Sequence, residues 1–155
     1  MKKEFKIILF SVIIVLIDQI IKYIVKTNLN LFESIKVTDF FKITYVENTG
    51  GAFSILSGNV FLFVITGILC LVLFYIFFIK NKSLKNIDII LYSIFIGGII
   101  GNMIDRIINK SVIDYLDFKF FNFPIFNFAD ICIVISVLLI LLFRGEKHDN
   151  KWKYK

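Results

Sequence analysis

The chain has 155 residues, 58% of them hydrophobic, with a net charge of +6 and a mean hydropathy of +0.84. Soluble domains average roughly 45–50% apolar residues, so the excess, arranged in blocks, indicates an integral membrane protein of one small domain. The basic residues fall beside apolar runs, where they serve topology and anionic lipid contact, and no basic patch with a nucleic-acid fold is visible, so no nucleic-acid partner is expected.

Lys2, Lys3 and Lys6 precede an apolar run from Ile7, which resembles the start of a signal peptide. The run continues past Asp18 to Val25 with no small-residue cleavage site, so it reads as a retained first span, about 7–25. Asp18 and Lys22 inside it are four apart and share one helix face, with Gln19 beside them. An i,i+4 ion pair lowers the cost of both charges in lipid. Its role is either a structural lock on span one or a contact to substrate.

Residues 35–46 (IKVTDFFKITYV) mix β-branched and aromatic residues with partial alternation and read as one or two short strands. Asn48, Thr49, Gly50 and Gly51 then form a turn signal, followed by Ala52 and Phe53 as a small and a large apolar contact. The second span is predicted at about 60–79 and the third at about 87–104. Gly97, Gly98 and Gly101 give span three a flat face for the close approach of another helix or a ligand. Asn102, Asp105 and Arg106 share a face at its end. An Asp–Arg pair at a helix end is compatible with interfacial snorkelling, but an Asn one turn deeper needs hydrogen-bond partners. A polar network is therefore expected.

The second long loop repeats the β-like composition over 112–126 and carries Asp114 and Asp117. An isolated loop aspartate is ordinarily solvated, and Asp117 is expected to be so. The fourth span, about 129–143, looks short. Asp130 lies in its first turn, where an acid complements the helix macrodipole, and Asn127 is placed to cap the helix. Cys70 and Cys132 sit inside apolar spans and read as small hydrophobes.

Lys and Arg crowd the N-terminal segment, the link between spans two and three (Lys80, Lys82, Lys85) and the C-terminal tail (Arg144, Lys147, Lys151, Lys153, Lys155). The other two loops are longer, less basic and rich in acids. The positive-inside rule then places both termini in the cytoplasm, and the polar clusters converge near the outer face. The expected fold is an all-α membrane protein of four transmembrane helices, with a small extracytoplasmic β-sheet built from the two outer loops.

Membrane-embedded ionisable residues are costly and mark function by default. The one histidine, His148, lies in the charged tail, so His-based metal hydrolysis and Ser–His or Cys–His nucleophiles lack their base. Walker and dinucleotide glycine loops are absent. Carboxylate chemistry remains, and Asp114 and Asp130 fall in one short inter-helix region. Two aspartates about 3 Å apart share a proton, so one activates water while the other donates to a carbonyl oxygen.

These residues sit in five clusters: DQIIK (18–22), ENTGGAF (47–53), GGIIGNMIDR (97–106), VIDY (112–115) and FNFAD (126–130). In order and spacing the chain resembles the lipoprotein signal peptidase (signal peptidase II) family of bacterial aspartyl intramembrane proteases over nearly its whole length. The resemblance implies a single peptidase domain over residues 1–155 in the bacterial cell membrane. It implies a catalytic dyad of Asp114 and Asp130, no metal and no cofactor. Asp18, Lys22, Asn48, Gly50, Asn102, Asp105, Arg106 and Asn127 would shape the pocket, position substrate and orient the dyad. The implied substrate is a prolipoprotein cleaved before a cysteine that carries diacylglycerol, received by a monomer from surrounding membrane lipid. The glycine face of span three would leave room for the signal peptide, and the loop Asn48–Phe53 with the surface strands would clamp the cleavage sequence. Gly51 stands where the family commonly has Ala, and Tyr115 where it commonly has Phe. A proton-coupled transporter and a non-catalytic assembly subunit are the rival readings of the same polar residues.

Overall fold

The computed structural model describes residues 2–51, 55–80, 82–119 and 123–149. The chain runs α1 (Lys3–Asn28), β1 (Ser34–Lys36), β2 (Phe41–Asn48), α2 (Val60–Phe74) with a π-helical turn (Tyr75–Ile79), α3 (Asn86–Asn109), β3 (Val112–Phe118) and α4 (Phe128–Asp149). Three helical stretches, Lys3–Asn28, Val60–Ile79 and Asn86–Asn109, are long and apolar enough to cross a membrane, and the apolar part of α4, Phe128–Phe143, is shorter. The second stretch coincides with its predicted span, and the other three helices overrun theirs because hydropathy marks only the apolar centre, whereas backbone hydrogen bonding continues into polar flanks. Asp105 and Arg106 therefore lie within α3. Ala52, Phe53, residues 120–122 and the tail beyond Asp149 lie outside the described residues.

Lipid is as apolar as leucine, so helices in it associate through close packing and hydrogen bonds rather than through burial of grease. The α1–α3 pair uses both. The two helices run parallel with a near-constant offset in sequence. Ser11 Oγ donates to the Ser93 carbonyl (3.2 Å) and Ser93 Oγ to the Ile7 carbonyl (3.2 Å). A Cβ on Gly97 would stand 2.6 Å from Ile14 Cβ, and one on Gly101 would stand 2.5 Å from Asp18 Oδ2. On the other side of α3, a Cβ on Gly98 would stand 2.7 Å from the Ala129 carbonyl oxygen of α4. The glycine face is thus filled by α1 and α4, which corrects the expectation that it leaves room for a signal peptide.

One turn beyond Gly97 the interface becomes ionic. Lys22 Nζ lies 2.8 Å from Asp18 Oδ2 and 2.8 Å from Asp105 Oδ2, and donates to Asn102 Oδ1 at 2.9 Å. An ammonium has three hydrogens, and each has a partner. Lys22, Asp18 and Asp105 are all buried. Gln19 Nε2 adds a bond to Asp105 Oδ1 (3.0 Å).

At the far end from the sheet, Ile7, Phe74, Ile79, Tyr92, Phe95 and Ile140 form an apolar cluster, with the Phe74 ring edge-on to Tyr92 at 5.1 Å. A second cluster, Val25, Leu29, Tyr45, Ile113 and Tyr115, seats the sheet on α1. The sheet has order β1-β2-β3 and is antiparallel throughout. Between the pairs Ile43↔Leu116 and Val46↔Asp114 the register shifts, with one extra residue on β2. Such a bulge bends a strand and re-aims its neighbours. Here it lies directly beside Asp114. Elsewhere, large apolar side chains such as Ile8, Phe61, Leu69, Leu138 and Leu142 are exposed, the surface expected of a protein bathed in lipid.

Two predictions follow from this packing. Lys22→Met removes the cation that two buried carboxylates share, and should cost about 3–5 kcal/mol, read as a large drop in thermal midpoint in detergent. Gly98→Val meets a backbone oxygen that cannot swing aside and should cost about 1–3 kcal/mol. Gly67→Ala meets only the flexible end of Met103 and should stay within about 1 kcal/mol of wild type. Equal midpoints for the two glycine variants would contradict this account.

Candidate active site

Asp130 is the third residue of α4, and Asn127 precedes the helix. The Asn127 side-chain oxygen accepts from the Asp130 N–H (3.0 Å), and Asp130 Oδ2 accepts from the Asn127 N–H (3.2 Å). This reciprocal pair is a capping box, and it satisfies two backbone donors at a helix start. It also fixes the Asp130 carboxylate. The Asn127 amide nitrogen is left to face away from the helix, where it donates to Asp114 Oδ1 at 2.7 Å and to Asn102 Oδ1 at 3.1 Å. One fully buried side chain therefore holds both aspartates.

Each carboxylate has a second donor. Asn102 Nδ2 donates to Asp130 Oδ1 (2.8 Å). Asn48 Nδ2 donates to Asp114 Oδ2 (3.1 Å). Asn102 in turn is held by Lys22, so the ion cluster on α1 reaches Asp130 through one amide. Asp105 reaches the other aspartate by a different route, because its Oδ2 accepts the Ile113 N–H (3.2 Å) immediately before Asp114 in β3. The hydroxyl of Tyr115 accepts the Phe128 N–H (3.2 Å) and ties β3 to the first turn of α4. Burial, and then the negative charge of Asp130, push the Asp114 carboxyl up to about 7.

Asn48 ends β2 in a tight side-chain turn, its Oδ1 accepting the Gly50 N–H at 2.9 Å. The Gly50 carbonyl accepts from Arg106 Nη2 (3.1 Å), and the Arg106 guanidinium lies 5.0 Å from the Phe63 ring centre. A cavity of about 450 Å³ opens over these groups, lined by Asn48, Gly51, Asn102, Arg106, Asp114 and Asp130 and walled by Ile125, Phe126, Ile131 and Val134. A second, of about 400 Å³, lies among α2, α3 and α4 and shares Asn102, Arg106 and Asp130 with the first. Among the described residues, no three of His, Cys, Asp and Glu gather as a metal cage.

All ten residues singled out in the sequence thus fall in one connected network, in two layers. Asn48, Asn102, Arg106, Asp114 and Asp130 line the first cavity. Asn127 and Gly50 stand directly behind them. Asp18, Lys22 and Asp105 line neither cavity, so the ion cluster is a buttress and not a contact surface. Asp117 departs from its expected solvation. It accepts from Thr44 Oγ1 (2.7 Å) and pairs with Lys42 (3.3 Å), as a cross-strand bond between β2 and β3. Phe63 and the Ile113 amide were not foreseen. Phe63 is one aromatic in an apolar run, and a backbone amide leaves no mark in a sequence.

Against known proteins, a family model described as Signal peptidase (SPase) II matches residues 10–144. A lipoprotein signal peptidase of Staphylococcus aureus (strain JH9) is 39% identical over 148 residues, covering 93% of this chain and 90% of the relative. A solved structure described as a bacterial membrane enzyme, determined by the in meso method at 2.3 Å, superposes with a TM-score of 0.86 at 36% identity, covering 94% of this chain and 90% of its own. A second of the same description, at 1.9 Å, gives a TM-score of 0.78 at 37% identity, with 88% and 90% covered. With a family model over most of its length and a relative of this similarity, the chain belongs to the signal peptidase II family of membrane proteases.

Proposed function

We propose that this enzyme removes the signal peptide from diacylglyceryl-modified prolipoproteins, cleaving before the lipidated cysteine with water activated between Asp114 and Asp130. The observation that carries the reading is the shared amide. Asn127 holds both carboxylates at the wall of one cavity, the arrangement an aspartic protease needs to place one water between an acid and a base.

The reaction then runs without a covalent intermediate. The Asp130 carboxylate takes a proton from water as its oxygen attacks the scissile carbonyl. Asp114 gives its proton to the carbonyl oxygen, which leaves a neutral gem-diol. Asp130 then gives its proton to the nitrogen while Asp114 takes one from a gem-diol hydroxyl, and the C–N bond breaks to give a carboxylic acid on the signal peptide, which ionises in water, a free amine on the cysteine and a dyad restored to its starting charge. The distribution of roles follows from position. Asp130 lies at a helix N-terminus, accepts from the Asn127 N–H and the Asn102 amide and shares the cavity wall with Arg106, surroundings that favour keeping the pair's negative charge there. Asp114, raised to about 7, keeps its proton at neutral pH. The apolar cavity walls suit a peptide flanked by acyl chains. The rival transporter and assembly-subunit readings fall away with family membership.

In this reading the protein is one domain and a monomer, and α4 serves as a fourth span. Its short apolar stretch is sufficient because its polar start lies at the site, under the sheet, instead of at the lipid boundary. The Lys and Arg distribution puts both termini in the cytoplasm and the sheet outside, so the cavity meets the substrate near the outer leaflet. The residues around the dyad supply acid, base and positioning, and the chemistry asks for no metal.

The direct test uses purified enzyme in detergent with a diacylglyceryl-modified prolipoprotein. Asp114→Asn and Asp130→Asn should each lower kcat by about three orders of magnitude or more while substrate still binds, because the dyad acts on the transition state. Cleavage that survives either change rules the dyad out. In the wild type, kcat/KM should fall as pH rises past about 7, where Asp114 loses the pair's remaining proton. The Asn48 bond favours the ionised form of Asp114, so Asn48→Ala should move that falling limb to higher pH. A limb that stays put or moves down contradicts the assignment.

A further inference from the structure

We infer that Phe63, on α2, is a positioning residue for the dyad: one aromatic ring sets both Arg106 and the Asn48–Gly51 turn, and through them Asp114. The inference rests on the dyad reading above and adds to it an element, α2, that otherwise packs in the apolar cluster through Phe74 and walls the second cavity.

Two contacts of the ring converge on the same side chain. On one face, the Arg106 guanidinium lies 5.0 Å from the ring centre. Arg106 borders both cavities; its Nη1 donates to the Asn102 carbonyl one turn back (3.3 Å), and the ring adds the contact that keeps the guanidinium turned toward Gly50. A cation over an aromatic face is held by the ring quadrupole, more firmly where water is excluded. Held there, its Nη2 donates to the Gly50 carbonyl (3.1 Å), and the Gly50 N–H donates to Asn48 Oδ1 (2.9 Å). At the ring edge, the backbone of Gly51 comes so close that a Cβ built on it would stand 3.0 Å from Phe63 Cε1 and 3.2 Å from Cζ. The Gly51 carbonyl accepts from Asn48 Nδ2 (3.2 Å), and the same nitrogen donates to Asp114 Oδ2 (3.1 Å). Both routes end on the Asn48 amide, one at its oxygen and one at its nitrogen. The ring thus fixes which way that amide points, and with it the bond to Asp114. Gly51 and Phe63 are a matched pair: a Cβ at 51 makes the ring give by a few tenths of an ångström, and a larger side chain there displaces the ring on which Arg106 rests.

The test is steady-state kinetics on purified variants, with thermal midpoints measured alongside. Phe63→Leu keeps apolar bulk and removes the ring face. It should lower kcat about tenfold while KM stays within about threefold. Phe63→Tyr keeps the face and should restore kcat to within about twofold of wild type. Phe61→Leu, which removes an aromatic that is 77% exposed in the same turn of α2, should change nothing. Gly51→Val, whose branched side chain must displace the ring, should lower kcat in the wild type but add little to Phe63→Leu, the non-additivity expected of residues in contact. A Leu variant with kcat near wild type, a loss confined to KM, or strictly additive effects of the pair would each overturn the inference. Should Phe63→Leu fail to fold, Gly51→Val alone decides: an undiminished kcat overturns it and a lowered kcat with unchanged KM supports it. Asp114→Asn and Asp130→Asn in the same series report on the dyad itself, so failure of that reading shows as retained activity there, whatever Phe63 does.

Discussion

A single ammonium group, Lys22 Nζ, lies at the centre of this structure. It is buried with two carboxylates and an amide oxygen around it, all within 2.9 Å. Removing charges from water costs several kcal/mol per ion, and pairing repays this only with good geometry and complete hydrogen bonding. Here each ammonium hydrogen has its own acceptor. Two of the acceptors lie on α3, so satisfying Lys22 fixes the rotation and height of α3 relative to α1. Glycines at 97 and 101 make that distance attainable. The ionic cluster and the glycine face are therefore one device: the glycines bring the helices close enough for the charges to meet, and the charges penalise any other register.

From this buttress the order passes outward through amides. Asn102 links Lys22 to Asp130, Asp105 links Lys22 to the start of β3, and Asn127 closes the circuit between the two aspartates. Amides suit the task because each offers donors and an acceptor of fixed orientation without adding charge. A lysine or arginine in the place of Asn127 would hold both aspartates ionised, and a hydrophobe would leave both carboxylates short of partners. The β2 bulge and the α4 capping box are local devices of the backbone, and both end beside the same two side chains.

Much of this was legible in the sequence. The four apolar runs, the parallel placement of Asp18 and Lys22 on one face and the cap at Asn127 follow from spacing alone. The polar clusters marked themselves by being costly in lipid. What spacing does not carry is which of two close-packed partners occupies a flat face. Gly97, Gly98 and Gly101 read equally as a seat for a ligand or for a helix, and the answer depends on where Ile14 and Ala129 arrive. Asp117 likewise looked solvated because its partner, Thr44, is far away in sequence and meets it only across the sheet. Phe63 left no signal at all, since an aromatic ring in an apolar helix is ordinary until the cation over it is known.

The position of Asp130 joins stability to chemistry. As third residue of α4 it completes a capping box, and as the proposed base it must be ionised when substrate arrives. These demands agree, because a helix N-terminus favours a carboxylate over a neutral acid, and the Asn127 N–H and Asn102 amide are both donors that a carboxylate accepts. Asp114 sits on a strand, which has little net dipole, under the negative charge of its neighbour. A proton shared by the pair is thus drawn toward the strand and away from the helix. In the proposed mechanism, the asymmetry that general acid–base catalysis requires arises first from placing one aspartate at the start of a helix and the other within a sheet, and Arg106 on the same cavity wall adds to it.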